Sequence, residues 1–236
     1  MWLAVLSACT SPDPVDTDTD RVLPAEAMVV SLETRDGVTL VGDLVPGTAG
    51  AGGVVLLHMT PLGGWNRTDW PASFVEKLTG AGFTVLALDR RGAGDSGGVA
   101  EDAFDGPAGK YDVEAAVLEL QRIGAGPLAI VGASNGTTSA LDYAAWAGSE
   151  GLPEPVALGF MTGGAYTENQ TAMSALTVPA VFTYSTAERA WSVDQQPLDP
   201  GSWSFLEYAD GAHGTQMFAA APEVEDDLET FLSDAL

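Results

Sequence analysis

Two histidines, His58 and His213, and a single cysteine, Cys9, occur in the 236 residues, so few side chains can exchange a proton near neutral pH. A third position is set apart by its spacing. Gly132-Ala133-Ser134-Asn135-Gly136 follows an apolar run at 128–131 and precedes a helical stretch near 138–146. A strand that turns sharply into a helix through such a pentapeptide lifts the serine hydroxyl above the sheet. The same turn aims the Asn135 N–H at a point where an oxyanion could form. Glycines suit the flanking positions because the turn presses them against neighbouring backbone, where side chains would clash. The chemistry this predicts is attack by Ser134 on an acyl carbon, with an imidazole as base. His213 is the candidate base: it follows a strand near the C-terminus, in a loop between Gly211 and Gly214.

Those residues need a scaffold, and the pattern supplies one. Val29-Val30-Ser31-Leu32-Glu33 and Val38-Thr39-Leu40-Val41-Gly42 flank Asp36-Gly37, a hairpin signal. Gly53-Val54-Val55-Leu56-Leu57 is apolar throughout, as a strand covered on both faces must be. A helix is expected around 71–78, with Asp69 near its cap and Gly80 or Gly82 ending it. A strand at 84–88 follows. Val113, Val117, Leu120 and Ile123 recur at helical spacing and stop at Gly124. Further strands are expected at 128–131, 156–160, 178–184 and 203–208, and Val224, Leu228 and Phe231 mark a closing helix. This alternation predicts an α/β fold: a mostly parallel, twisted sheet of about eight strands with helices on both faces. Between 160 and 178 there is room for one short helix and none for a cap domain. Trp65, Met161 and Trp191 are then candidate pocket walls, each equally explicable as core.

In that setting residues 28–236 resemble the α/β-hydrolase superfamily, in its lidless esterase or dienelactone-hydrolase-like branch. Four segments besides the serine pentapeptide carry the resemblance. His58 closes a strand where the family has His-Gly before its oxyanion loop. Asp89-Arg90-Arg91-Gly92-Ala93-Gly94-Asp95-Ser96 resembles D-x-R-G-x-G-x-S. The strand Val178-Pro179-Ala180-Val181-Phe182 leads toward an acid, and Gly211-Ala212-His213-Gly214 resembles the late histidine motif. The resemblance implies Ser134 as nucleophile, His213 as base and Glu188 as the orienting acid, with Asp194 as the alternative. It implies oxyanion donors in the N–H groups of Asn135 and Thr60, with Met59 N–H second to Thr60. His58 would position the oxyanion loop. Met59 departs from the family's glycine and puts a side chain beside that donor. A small acyl compound, a carboxylic ester above all, is the implied substrate, with no metal or organic cofactor. A peptidase or thioesterase on the same scaffold, and an inactive tethered binding module, stay open as alternatives.

Composition narrows the rest. The chain carries 33 acidic and 9 basic residues, net −24, which repels a phosphate backbone and argues against nucleic acid. One cysteine excludes a disulfide framework and a multi-cysteine zinc site. No run approaches the ~18 apolar residues of a membrane-spanning helix. Leu6-Ser7-Ala8-Cys9 resembles a bacterial lipobox, closing residues 1–9 as a truncated lipoprotein signal with no preceding Lys or Arg. Residues 10–27 read as an acidic Thr/Asp/Pro tether. The expectation is acylation at Cys9 and a lipid-anchored protein of the bacterial cell envelope. Thr10, in place of aspartate, favours the outer membrane. That anchor would be the chain's one membrane contact.

Overall fold

The computed structural model describes residues 27–104, 107–166 and 168–236. Cys9 and nearly all of the acidic tether lie outside the described residues. The first two strands, β1 (Met28–Glu33) and β2 (Thr39–Val45), form an antiparallel hairpin with Glu33 opposite Thr39. Its turn is one residue longer than the expected Asp36-Gly37 pair: Thr34 N–H donates to the Val38 carbonyl, and residues 35–37 close the loop. Gly37, at φ +83°, occupies the left-handed position that such a turn requires.

From there strands and helices alternate. The chain runs through β3 (Gly53–Leu57), α1 (Ala72–Gly80), β4 (Thr84–Leu88), α2 (Glu101–Phe104) and α3 (Gly109–Arg122). It continues with β5 (Leu128–Ala133), α4 (Gly136–Glu150), β6 (Ala157–Met161), β7 (Ala180–Ser185) and α5 (Ala190–Gln195). Strand β8 (Trp203–Tyr208) and helices α6 (Met217–Ala220) and α7 (Val224–Ala235) complete it. Asp69 does not cap α1. It closes a 3₁₀ capping box with Asn66 instead, and Pro71 stands at the helix N-terminus. Between β6 and β7 there is only a 3₁₀ segment, Glu168–Ala175, so no cap domain interrupts the described chain.

The sheet has eight strands in the order β1-β2-β4-β3-β5-β6-β7-β8. Strand β2 meets β4 antiparallel, and every pairing from β4 to β8 is parallel. Side chains alternate between the sheet's two faces, and two cores result. Val55, Leu57, Ile130 and Phe182 join one core with Val113, Val117 and Leu120 of α3 and Leu141 of α4. Val54, Leu56, Val131 and Val181 join the other with Phe74 and Leu78 of α1 and Leu228 and Leu232 of α7. Burying each large aliphatic or aromatic side chain contributes about 1.5–3 kcal/mol. Parallel strands also set the position of chemistry. The C-terminal ends of β3, β5, β6, β7 and β8 share one edge of the sheet, so the segments after them gather there.

One buried ion pair braces this edge from below. Asp112 of α3 accepts from the Arg91 backbone N–H (2.9 Å) and from Arg91 Nε (2.8 Å), and both side chains are buried. The Arg91 fork also reaches Asp36 in the hairpin turn, at 2.8 and 3.1 Å, linking β1–β2 to the segment after β4. Removing one member of a buried pair leaves the other without its partner. Asp112→Ala is therefore expected to lower unfolding stability by about 3 kcal/mol, measured by urea titration.

Candidate active site

Ser134 follows β5 and adopts φ +49°, one of two positive-φ positions held by residues other than glycine among those described. Such a conformation costs roughly 1–3 kcal/mol and persists only where the surroundings enforce it. Here they do. Ser134 N–H donates to the Met161 carbonyl of β6 at 2.8 Å, and its own carbonyl accepts from Thr137 N–H and Thr137 Oγ1. A Cβ on Gly132 would lie 2.5 Å from the Gly136 carbonyl carbon, and one on Gly136 would lie 2.3 Å from the Leu57 carbonyl oxygen. Both glycines of the pentapeptide are thus required by backbone approach.

The structure brings three of the expected residues together. His213 Nε2 lies 2.5 Å from Ser134 Oγ, and His213 Nδ1 is hydrogen-bonded to Glu188 Oε2. Ser134 is nearly buried, while the His213 and Glu188 side chains remain more than a third exposed. Glu188 sits in a 3₁₀ turn, Thr186–Glu188, directly after β7. Asp194 lies one helix further on, exposed on α5. With Nδ1 donating to a carboxylate, Nε2 is left to accept the serine proton. That is the arrangement in which a hydroxyl becomes a nucleophile.

Two further residues hold the His213 loop: Thr162, which the sequence did not mark, and Met59, which it marked only as a departure from the family's glycine. Gly214 N–H donates to Thr162 Oγ1 at 2.5 Å. Thr162 follows β6 at φ +42°, the second strained position, and its N–H donates to the Thr183 carbonyl. The Thr162-Gly163-Gly164 break after an apolar strand was the available signal. Met59 is the other. Its side chain does not enter the site but is buried in the second core. Its Sδ occupies the place of a Cβ on Gly214, 2.2 Å away. Methionine is accommodated at 59 because residue 214 has no side chain.

The loop after β3 is fixed from beneath. His58 is fully buried. Its Nδ1 donates to the Met59 carbonyl at 2.7 Å, and Nε2 accepts the Arg90 backbone N–H at 3.0 Å. In a trans peptide the C=O and N–H point in opposite directions, so the Thr60 N–H is turned away from the buried His58. The Thr60 side chain caps a 3₁₀ turn at Pro61–Gly63. Of the expected pocket walls, Met161 is a core residue with no exposure. Trp191 packs on Phe160 and Phe182 and against Gly163, and Trp65 lies partly buried over Gly63.

Burial, with Arg90 nearby, pushes the His58 pKa down to about 3, so the imidazole is neutral in the folded chain. An unfolded chain binds that proton below about pH 6.5 and the native one does not. Stability from this residue is therefore complete above pH 6.5 and is lost as pH falls toward 3. Between pH 6.5 and 5, with most carboxylates still ionised, His58 should contribute a decline of up to about 1.4 kcal/mol per pH unit in urea unfolding. His58→Asn should flatten that slope.

With the site described, its relatives can be placed. The alpha/beta hydrolase fold family matches residues 50–218, well over half of the chain. No curated protein matches significantly in sequence. Among solved structures, an esterase from Pyrococcus furiosus superimposes with a TM-score of 0.69 at 16% identity, covering 89% of this chain and 91% of that one. A serine hydrolase without a lid from Xanthomonas campestris gives 0.68 at 14% identity, covering 91% and 97%. A dienelactone hydrolase from Anabaena variabilis gives 0.65 at 19% identity, covering 89% and 95%. The strand order, the strained serine turn and the matched span lead to one conclusion: the chain belongs to the α/β-hydrolase fold family.

Proposed function

We propose that the chain is a serine hydrolase that cleaves carboxylic esters or related acyl compounds through an acyl-serine intermediate. One observation carries the reading: the continuous hydrogen-bonded line from Ser134 Oγ through both nitrogens of His213 to Glu188. Ser134 Oγ attacks the acyl carbon while His213 Nε2 takes its proton. Glu188 holds the ring and stabilises the imidazolium. The negative oxygen of the tetrahedral intermediate is met by the N–H groups of Asn135 and Thr60, one such donor typically contributing ~3 kcal/mol. His213 then gives its proton to the leaving alcohol. Water, activated by the same imidazole, releases the acid and restores the serine. The solved neighbours described as an esterase and a lidless serine hydrolase support the same assignment.

A fluorophosphonate probe tests this directly, because it reacts only with an activated serine. Labelling at Ser134, lost in Ser134→Ala together with hydrolysis of p-nitrophenyl acetate, is the expected outcome. Glu188→Gln should lose about 10³–10⁴ in turnover at neutral pH, by comparison with removal of the orienting acid in a related triad. Asp194→Asn should stay within about twofold of the parent. The opposite pattern would hand the orienting role to Asp194, and an unlabelled parent chain would leave a binding module as the better reading.

For the N-terminus we propose acylation at Cys9, with the hydrolase held at the bacterial outer membrane. The lipobox-like Leu6-Ser7-Ala8-Cys9 followed by an acidic tether supports it. Mass spectrometry of the chain purified from bacterial membranes should find a diacylglyceryl-modified Cys9. An unmodified Cys9 in the soluble fraction would overturn it.

A further inference from the structure

Arg90 is the most deeply buried cation in the described chain, with no exposure at all. Its Nη2 donates to Asn135 Oδ1 at 2.8 Å and to Ser139 Oγ at 2.9 Å. Its Nη1 faces the carbonyls of His58 and Met59 at 3.3 and 3.4 Å, and its Nε finds no partner. None of these acceptors is a carboxylate. Asp112, the anion that acts on it electrostatically, is hydrogen-bonded to Arg91. Burial pushes the Arg90 pKa down to about 10, which still leaves it charged at neutral pH. A buried ion without a bonded counter-charge is a costly way to fill a core, and an apolar side chain of similar volume would avoid that cost.

The position of its fork suggests what the charge is for. One arm grips the Asn135 side chain and the first full turn of α4, and the other grips the peptides on either side of Met59. These are the two backbone segments that carry the proposed oxyanion donors. We propose that Arg90 is a positioning residue for the oxyanion site: it locks the 58–60 loop to Asn135, so that the Thr60 and Asn135 N–H groups converge on one oxygen. Its positive charge, in a water-poor cluster beneath that point, further favours negative charge there. Ser139 and His58 complete the clamp, since Ser139 Oγ accepts from the guanidinium and His58 Nδ1 donates to the Met59 carbonyl.

This inference rests on the serine-hydrolase reading, and its test keeps the two apart. Arg90→Met and Arg90→Lys are compared with the parent and with Ser134→Ala. The readouts are p-nitrophenyl acetate turnover, and amide hydrogen exchange over 58–62 and 133–137. Arg90→Met should lower kcat by about 10²-fold, the scale of losing one oxyanion donor, with KM within about twofold. Exchange should quicken in those two segments and not elsewhere. Arg90→Lys should recover part of kcat, since it restores charge without the fork. A kcat near the parent value, a loss confined to KM, or exchange that quickens across the whole chain would overturn the inference. If Ser134→Ala retains parental turnover, the hydrolase reading falls, and exchange in the two segments decides the role of Arg90 alone: no change there overturns it.

Discussion

Where α4 begins, its backbone lies against the end of β3 too closely for any side chain. A Cβ on Gly136 would sit 2.3 Å from the Leu57 carbonyl oxygen and 2.7 Å from that of His58. Much of the site follows from this crossing. For the helix to start so near the strand, the chain leaving β5 must turn within a residue or two, which forces Ser134 into a left-handed conformation and its hydroxyl above the sheet. The same crossing brings the segment after β3 beside the first turn of α4. The N–H groups at a helix start have no partner within the helix, so this is a natural place to hold negative charge.

Strain collects on this one edge. Ser134 and Thr162, the two positive-φ residues other than glycine among those described, follow adjacent parallel strands and are linked through Met161, whose carbonyl accepts the Ser134 N–H. Each conformation is disfavoured by itself, and the two sheet cores hold both in place. Thr162 spends its strained geometry on a specific end. Its hydroxyl is presented to the Gly214 N–H, and so the loop carrying His213 is anchored to β6 as well as to its own strand. Serine and histidine arrive from strands that are not neighbours in the sheet, with β6 and β7 between them.

How much of this could be read beforehand depended on the range of the interactions. The apolar runs of β3, β4 and β5 declare themselves because a strand covered on both faces has no polar positions to spare. The glycines at 132 and 136 declare a tight turn, and Ser134, His213 and Glu188 meet as their chain order implies. Local chemistry was misread where two local solutions compete: Asp69 serves a 3₁₀ turn rather than α1, and the β1–β2 turn takes a third residue. Short α5 was missed because six residues give no periodicity to detect. The contacts that Thr162 and Arg90 make at the site were not legible at all. Their partners lie 52 and 45 residues away in the chain, at Gly214 and Asn135, and only the folded sheet makes them neighbours.

The contact between Met59 and Gly214 reaches beyond this one chain. The volume removed at 214 is the volume that the thioether at 59 occupies, so the two sites share a single steric allowance. Among sequences that diverge from this one they should not drift independently. A chain with glycine at 59 has room to explore at 214, subject to the backbone's left-handed turn there, whereas with methionine any side chain at 214 requires the thioether to swing aside. The order of substitutions then matters: residue 59 lengthens more easily while 214 is bare, and 214 is filled more easily once 59 has shrunk. The pair is coupled in sequence space, placed one residue from the histidine that touches Ser134.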